Sequence, residues 1–574
     1  MEWCMTSLLP GESALPGIGL AGRPDDSGIS SLRELNAVSD KNATPLRPAS
    51  SLVEDFPDLA AALNAWSSVL GPEDVIVGDD LESRYCRTTL PEKWRTRPAA
   101  AVRPASCEEV VKVVQIAQQF GVSLHPISRG QNWGYSGMLP PKDGMVIVDL
   151  SRMNRILEVN VDLGYAVIEP GVSQQQLYDY LREHRLPLIP DATGAGPDAS
   201  IIGNILQRGF GHTPYGNRIL HVANMEAVLR DGSVVHTGFG DFPNARAADV
   251  FPYGLGPWID GAFTQSSRGI VTRMTVWLLP KPERLTGFAL KVPRGEDLGR
   301  IVDVLRPLCL DGVVRSTVHI ANDLRVISAR SLYPYEKTGG RTPLPDDVRA
   351  GLRRQFGIGA WNLMGGMYGS RRMVNAAKAD IRRAFRGVAR VHFFGPGLLR
   401  LGQMALGLSA RLGIGRSVLE TVESADAVYR LLAGEPSAEH LKGVFWRHKQ
   451  LPDPLDVAQA GVLWYSPVVP MRGSDAQAMV GAAQPVFAQY GFEPLITLSA
   501  VTSRALVGVI SVCYDPADAP QTAAAAECYR DLSQTLAGRG FYPYRAGLQS
   551  DIPALHMPGH TGLPTATFRP EEVS

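Results

Sequence analysis

The stretch Pro126-Ile-Ser-Arg-Gly-Gln-Asn-Trp-Gly-Tyr-Ser-Gly137 constrains this chain more than any other. An apolar, strand-like segment from Gly121 to Pro126 feeds a loop with glycines at 130, 134 and 137, interrupted by Arg129 and Tyr135. Small residues let the backbone approach a phosphate closely, and consecutive N–H groups can form an anion-binding nest. The glycine order is neither that of a P-loop nor that of a dinucleotide-binding Rossmann turn. Alone, the loop reads equally as a phosphate cradle or as an ordinary glycine-rich turn.

The flanking sequence favours a cradle. Ala100 to Arg103 reads as a short strand, and Ser106-Cys-Glu-Glu109 has the form of a capping box opening an apolar-periodic helix that Gly121 can end. Met145 to Leu150 and Tyr165 to Glu169 read as strands, and Ser173-x-x-Gln176 caps a helix to about His184. A second small-residue run follows, from Thr193 through Ser200-Ile-Ile-Gly203-Asn204 to Arg208-Gly-Phe-Gly211-His212-Thr-Pro-Tyr-Gly216. Two glycine-rich segments, each leaving a strand–helix unit, suit a long diphosphate cofactor clamped from two sides.

These residues resemble the flavin-dependent oxidoreductases of the vanillyl-alcohol oxidase and para-cresol methylhydroxylase family. The likeness is dense at 126–135, at Met153-Asn-Arg-Ile-Leu-Glu-Val-Asn160, at Glu169-Pro-Gly-Val172, at 203–216 and at Phe251-Pro-Tyr-Gly-Leu-Gly-Pro-Trp-Ile-Asp-Gly261. Weaker echoes at Gln265 to Thr272, Trp361-Asn362, Tyr368-Gly369 and Tyr544-Arg545 follow in the same order. The resemblance implies an α+β fold: a two-lobed FAD-binding domain with an antiparallel-sheet substrate cap flanked by helices. It divides the chain into a disordered extension (1–51), the FAD domain (52–282), the cap (283–517) and a C-terminal segment returning to the FAD domain (518–574). The cofactor-binding positions it implies are Ser128, Arg129, Gly130, Gln131, Asn132, Trp133, Gly134, Ser200, Ile202, Gly203, Asn204, Arg208, Gly211, Gly269 and Val271.

The implied chemistry is hydride removal from a carbon para to a phenol hydroxyl. A benzylic carbon that loses hydride becomes a cation, and a para phenolate turns that cation into a neutral quinone methide. Binding the phenol as its anion takes fixed donors and a permanent positive charge away from bulk water. Tyr135, Tyr544 and Arg545 match the family's phenolate-binding trio, and arginine suits the role because it keeps its proton and presents a planar fork of donors.

Several positions depart from the family. Where relatives tether flavin through a histidine, this chain has Val462, so dissociable FAD is expected; Tyr465 is a remote phenolic alternative. His212 replaces a tyrosine and reads either as a general base, since imidazole titrates near neutrality, or as a hydrogen-bonded lining residue. Asp191 occupies roughly the position of the family's acid/base, with Asp198 competing, and either can instead cap a turn. This altered pocket suits a tailoring oxidase acting on a larger, natural-product-like molecule. His556 and His560 have the spacing of helical zinc ligands, but Pro558 and Gly559 argue against a helix, so no metal is expected.

Composition narrows the alternatives. A chain of 574 residues exceeds one hydrophobic core. Lys+Arg and Asp+Glu are equal at 57 each, so no overall field favours nucleic acid or an anionic membrane. Six scattered cysteines without C-x-x-C spacing, and no signal-like start, point to a cytoplasmic enzyme with free thiols. The segment from Leu398 to Leu412 carries Arg400, Gln403 and Arg411 and reads as a packed cap helix. The expected partner is a small aromatic substrate, with a homodimer or higher oligomer implied by the resemblance. Three outcomes stay open: an oxidase using O2, a dehydrogenase feeding a cytochrome-like carrier, and an inert flavin-binding protein.

Overall fold

Parallel strand pairing frames the first lobe. In this computed structural model, which describes residues 57–401, 404 and 425–550, strands Ala100–Val102 and Leu124–Ile127 flank Val146–Asp149 in parallel, and Val75–Ile76 closes the sheet antiparallel. Helix Cys107–Gln119 makes the crossover. Ser106 Oγ accepts from Glu109 N at 3.2 Å, while the Glu109 carboxylate accepts from Ala105 N rather than closing the box on Ser106. Its apolar stripe, Val110, Val113, Val114 and Ala117, packs on Val146 and Val148 with Trp66 of helix Pro57–Leu70.

A second lobe is a five-stranded antiparallel sheet in the order Ile156–Asn160, Tyr165–Ile168, Gly269–Trp277, Val222–Leu229, Val234–His236. Helices Gln174–Glu183 and Ile201–Leu206 cover it, their starts fixed by Ser173 Oγ accepting from Gln176 N and Ser200 Oγ from Gly203 N.

The third sheet is antiparallel throughout. It runs Val391–Phe394, Arg284–Val292, Trp361–Gly369, Val318–Asn322, Leu495–Ala500, Ala505–Tyr514, Gly461–Tyr465, with Val468–Pro470 also paired to Ala505–Tyr514. Helices Leu298–Leu310, Gly473–Gln489 and Ala519–Ala537 bury one face, which takes Val318, Ile320, Leu463 and Tyr465. Side chains alternate along a strand, so His319, Val462 and Trp464 belong to the opposite face. That opposite face meets the glycine loop. Helix Ala519–Ala537 and Phe541 share the core of this sheet, and the chain then meets the other lobes at Tyr544, whose O accepts from Gln265 Nε2, and at Leu548, whose N donates to Tyr135 O. The expected N-terminal extension (1–51), His556 and His560, and most of the expected helix after Leu398 lie outside the described residues.

Candidate active site

Each glycine of the first loop sits in the left-handed region, with φ of 65° at Gly130, 75° at Gly134 and 66° at Gly137. A Cβ on Gly134 would come within 2.7 Å of the Trp464 ring, so the cap strand and the loop touch only because this residue is glycine. The second half of the loop uses its donors internally: Tyr135, Ser136 and Gly137 N–H groups donate to Asn132 O at 3.0–3.3 Å, and Gly134 N donates to Thr89 Oγ1 at 2.9 Å. Asn132 Nδ2 donates to Ser136 Oγ, and Trp133 Nε1 to Gln131 Oε1, both at 2.8 Å. No backbone N–H from Arg129 to Trp133 has a partner among the described residues. Consecutive unspent donors on a glycine-shaped turn fit an anionic diphosphate.

The second run closes on the first. A Cβ on Gly203 would lie 3.0 Å from Ser128 Oγ, and Arg129 bridges the runs by donating to Asp198 O at 2.7 Å. Ser200 Oγ donates to Pro170 O at 2.6 Å, Ile202 is buried, and Asn204 Oδ1 accepts from Arg218 Nη1 at 2.9 Å. Arg208, at φ 53°, donates to Thr264 Oγ1 at 3.0 Å. Gly269 and Val271 pair with Leu229 and Ala227 in the sheet behind these runs.

Tyr135, Tyr544 and Arg545 come together although more than 400 residues separate the first from the others. The chain returns through Tyr544 N donating to Ser466 O at 3.1 Å and Leu548 N donating to Tyr135 O at 2.9 Å. Arg545 Cζ stands 3.6 Å from the Tyr135 ring centroid and 5.5 Å from that of Tyr544. The Tyr135 hydroxyl shares a 2.8 Å hydrogen bond with Ser466 Oγ, and Trp464 packs edge-on at 5.7 Å. No carboxylate pairs with Arg545 among the described residues, and its buried Nε has no partner. Burial opposes the Arg545 charge, yet the Tyr135 and Tyr544 phenols more than offset it and hold its pKa above the usual value. Burial likewise pushes the Tyr544 phenol well up, so it is a neutral donor at any physiological pH.

Asp191 belongs to a separate hydrogen-bond network. Its Oδ1 accepts from Thr213 N at 2.9 Å and Thr213 Oγ1 at 2.7 Å, and its Oδ2 accepts from Arg218 Nε at 2.8 Å. Its side chain and that of Arg218 are 6% and 4% exposed, a buried ion pair with its acceptor sites occupied. A Cβ on Gly211 would collide with this carboxylate, so Gly211 makes room for the pair. Asp198 is exposed and lies beside Arg129.

His212 does face other site residues. Its Nδ1 donates to Ala192 O at 3.0 Å, leaving Nε2 with the lone pair, and burial holds the ring below the usual histidine pKa. Its ring is 4.5 Å from His319 and 6.4 Å from His440, while Phe210 bridges His319 (6.5 Å) and Tyr544 (6.1 Å). His319 and His440 carried no sequence signal, because each is a single residue in a different element, and Phe210 was legible only as part of the second glycine-rich run. No group of His, Cys, Asp or Glu among the described residues is arranged to hold a metal ion.

Val462, at the family's tether position, is fully buried; Val462 N donates to Thr89 O at 3.3 Å and Val462 O accepts from Thr89 Oγ1 at 3.1 Å. Tyr465 lies on the helix-packed face and donates to Phe541 O at 3.0 Å, turned away from the glycine loop.

Comparison with known proteins gives the family. Residues 98–238 match the family described as FAD binding domain. The chain is 36% identical over 499 residues (86% of this chain, 91% of the relative) to 1'-carboxy-chondrochloren decarboxylase of Chondromyces crocatus. It is 31% identical over 489 residues (84% and 87%) to the flavoprotein subunit of 4-cresol dehydrogenase (hydroxylating) of Pseudomonas putida. Among solved structures, p-cresol methylhydroxylase with substrate bound and the isoeugenol complex of 4-ethylphenol oxidase from Gulosibacter chungangensis each superpose with a TM-score of 0.77 at 29% identity, covering 86% of this chain and 90% of the other. The chain is therefore an FAD-dependent enzyme of the vanillyl-alcohol oxidase and para-cresol methylhydroxylase family of oxidoreductases.

Proposed function

We propose that this enzyme removes hydride from the side-chain carbon para to the hydroxyl of a phenolic substrate, and that Tyr135, Tyr544 and Arg545 hold that hydroxyl as its anion. The observation that carries the reading is Arg545: a half-buried guanidinium with a buried, unpartnered Nε and no carboxylate partner among the described residues, facing two phenol side chains. A partly desolvated cation without a counter-charge is stabilised by a ligand that supplies one. Bound FAD supplies the acceptor for the hydride. The unspent N–H groups of Arg129 to Trp133 and the close approach of Ser128 to Gly203 are where this chain would grip its diphosphate. Because Val462 offers no nucleophile and Tyr465 is turned away, the flavin is held without a covalent bond.

His212 Nε2 is assigned as the proton acceptor beside the substrate side chain, and Asp191 as a structural partner of Arg218. A neutral imidazole of depressed pKa accepts a proton only transiently, which suits general-base work. Electrons return to O2. Anaerobic mixing with para-substituted phenols, followed by admission of air, tests this: rapid bleaching and rapid recolouring are expected. Bleaching that persists in air would instead mean a separate electron carrier. No bleaching with any phenol would leave an inert flavoprotein.

A second reading follows from the decarboxylase similarity over 91% of that relative's length. If the carbon next to the oxidised one bears a carboxylate, the quinone methide can accept the electron pair of the C–CO2 bond. The ring returns to phenolate, CO2 departs and a C=C bond remains, so a natural-product tailoring step is within reach of the same site.

Two further assignments complete the proposal. The exposed apolar run Phe242, Phe251, Tyr253, Leu255, Trp258 and Ile259 is the surface for association with a second copy, because contiguous apolar patches mark interfaces. Sedimentation of the holoenzyme at micromolar concentration would return a monomer if this is wrong. The five described cysteines are free, which supports a reducing, cytoplasmic setting; among the described residues no helix is long and apolar enough to cross a membrane.

A further inference from the structure

Arg325 is a second cation without a carboxylate partner among the described residues. It lies half-buried in helix Asp323–Ser328, so part of its surface stays accessible. Burial holds its pKa below the usual arginine value, and no carboxylate pairs with it among the described residues. The neighbouring Asp323 is taken by Arg349 at 2.6 Å and by Arg353 at 3.8 Å. The guanidinium has only long contacts of 3.4 Å, to Ser328 Oγ and to His440 O, so most of its five N–H donors are unspent. Gly443 lies against it, where a Cβ would strike Nη1.

One neighbouring group is suited to an anion. His440 Nε2 and His319 Nε2 are both buried without a partner; the neutral His319 ring can present its Nε2–H, whereas His440 donates its other ring N–H to the Ala427 carbonyl and keeps a lone pair on Nε2. His319 Nδ1 is held by Ser499 Oγ at 2.9 Å. From Arg325 the lining runs through His440, His212 and His319 to Phe210 and Tyr544, which adjoins Arg545. The site therefore has one unpaired guanidinium at each end of an aromatic and imidazole wall. We propose that Arg325, with His319, binds a carboxylate on the substrate's side chain, so that the preferred substrate carries two anions: a phenolate at Arg545 and a carboxylate at Arg325. This inference rests on the phenol reading of the same site.

The test separates the two. Isothermal titration of the FAD-loaded full-length protein with ω-phenylalkanoates, from propanoate to heptanoate, and with the matching amides involves no oxidation and no phenol. At one or more chain lengths the acid should bind about ten-fold tighter than its amide or better, as charge-assisted hydrogen bonds require. Arg325→Gln should bring acid and amide to similar affinity, and Arg325→Lys should restore part of the gap. Equal binding of acid and amide at every length, or a gap that survives Arg325→Gln, overturns the carboxylate site. The native protein alone decides the first of these should the variant fail to fold. A clear acid preference with no flavin bleaching by any phenol would instead retain the carboxylate site and sink the oxidation.

Discussion

The Arg545 guanidinium carbon sits 3.6 Å from the centre of the Tyr135 ring, closer than any other cation–ring pair among the described residues. Stacking on a ring face leaves the planar fork's edge donors free, so the cation is fixed in place without being neutralised. The loop that carries Tyr135 also carries the glycines of the proposed diphosphate cradle, so on this proposal the same turn would tie cofactor and substrate anion to one rigid frame.

Replacing Arg545 by alanine should slow anaerobic flavin reduction by para-alkylphenols by about ten-fold or more, the effect of losing one aimed donor to developing charge. Arg545→Lys should recover little, because an ammonium cannot stack and fork at once. Stopped-flow absorbance reads both, and an unchanged rate would remove Arg545 from the site.

Asp191→Asn should act on stability rather than on chemistry. Breaking a buried pair by removing one charge strands Arg218 and costs about 3–5 kcal/mol. The expectation is a markedly lower urea midpoint with flavin reduction nearly unchanged in the protein that stays folded. A normal midpoint with collapsed reduction would restore Asp191 as the acid/base.

Acid should destabilise the protein before its carboxylates titrate. Burial lowers His440 to about 3 and His125 to about 4, with His212 and His319 shifted in the same direction. The unfolded state then binds more protons below about pH 6.5, so stability falls as pH drops through that value, by about 1.4 kcal/mol per pH unit for each such histidine. Urea unfolding at pH 7.5, 6 and 5 measures the slope, and His440→Gln should flatten it by one histidine's share.

The chain's order of motifs made the glycine loop and the meeting of Tyr135, Tyr544 and Arg545 legible, the loop because each glycine at 130, 134 and 137 answers to a backbone requirement that glycine meets at least cost. Other features were not. Strand Trp361–Gly369 contains Gly365 and Gly366, poor strand residues, and forms because Phe288 and Val318 fill the space beside Gly365. Asp191 reads as a free carboxylate until Arg218, 27 residues on, folds against it. Arg325 and His319 lie on consecutive elements, but His440 comes from more than 100 residues on, so no local pattern could announce the group.

The proposed absence of a covalent flavin tether has a direct consequence. Acid precipitation of the yellow holoprotein should leave all of its FAD in the supernatant and a colourless pellet. A fluorescent band on a denaturing gel would show a covalent bond formed by some residue other than Val462.

Benzylic deuteration is the most direct test of the central claim. In single-turnover anaerobic mixing, a para-alkylphenol carrying deuterium at its side-chain carbon should reduce the flavin several-fold more slowly than its protiated twin. Identical rates for the two, or no reduction by either, would contradict hydride removal from that carbon.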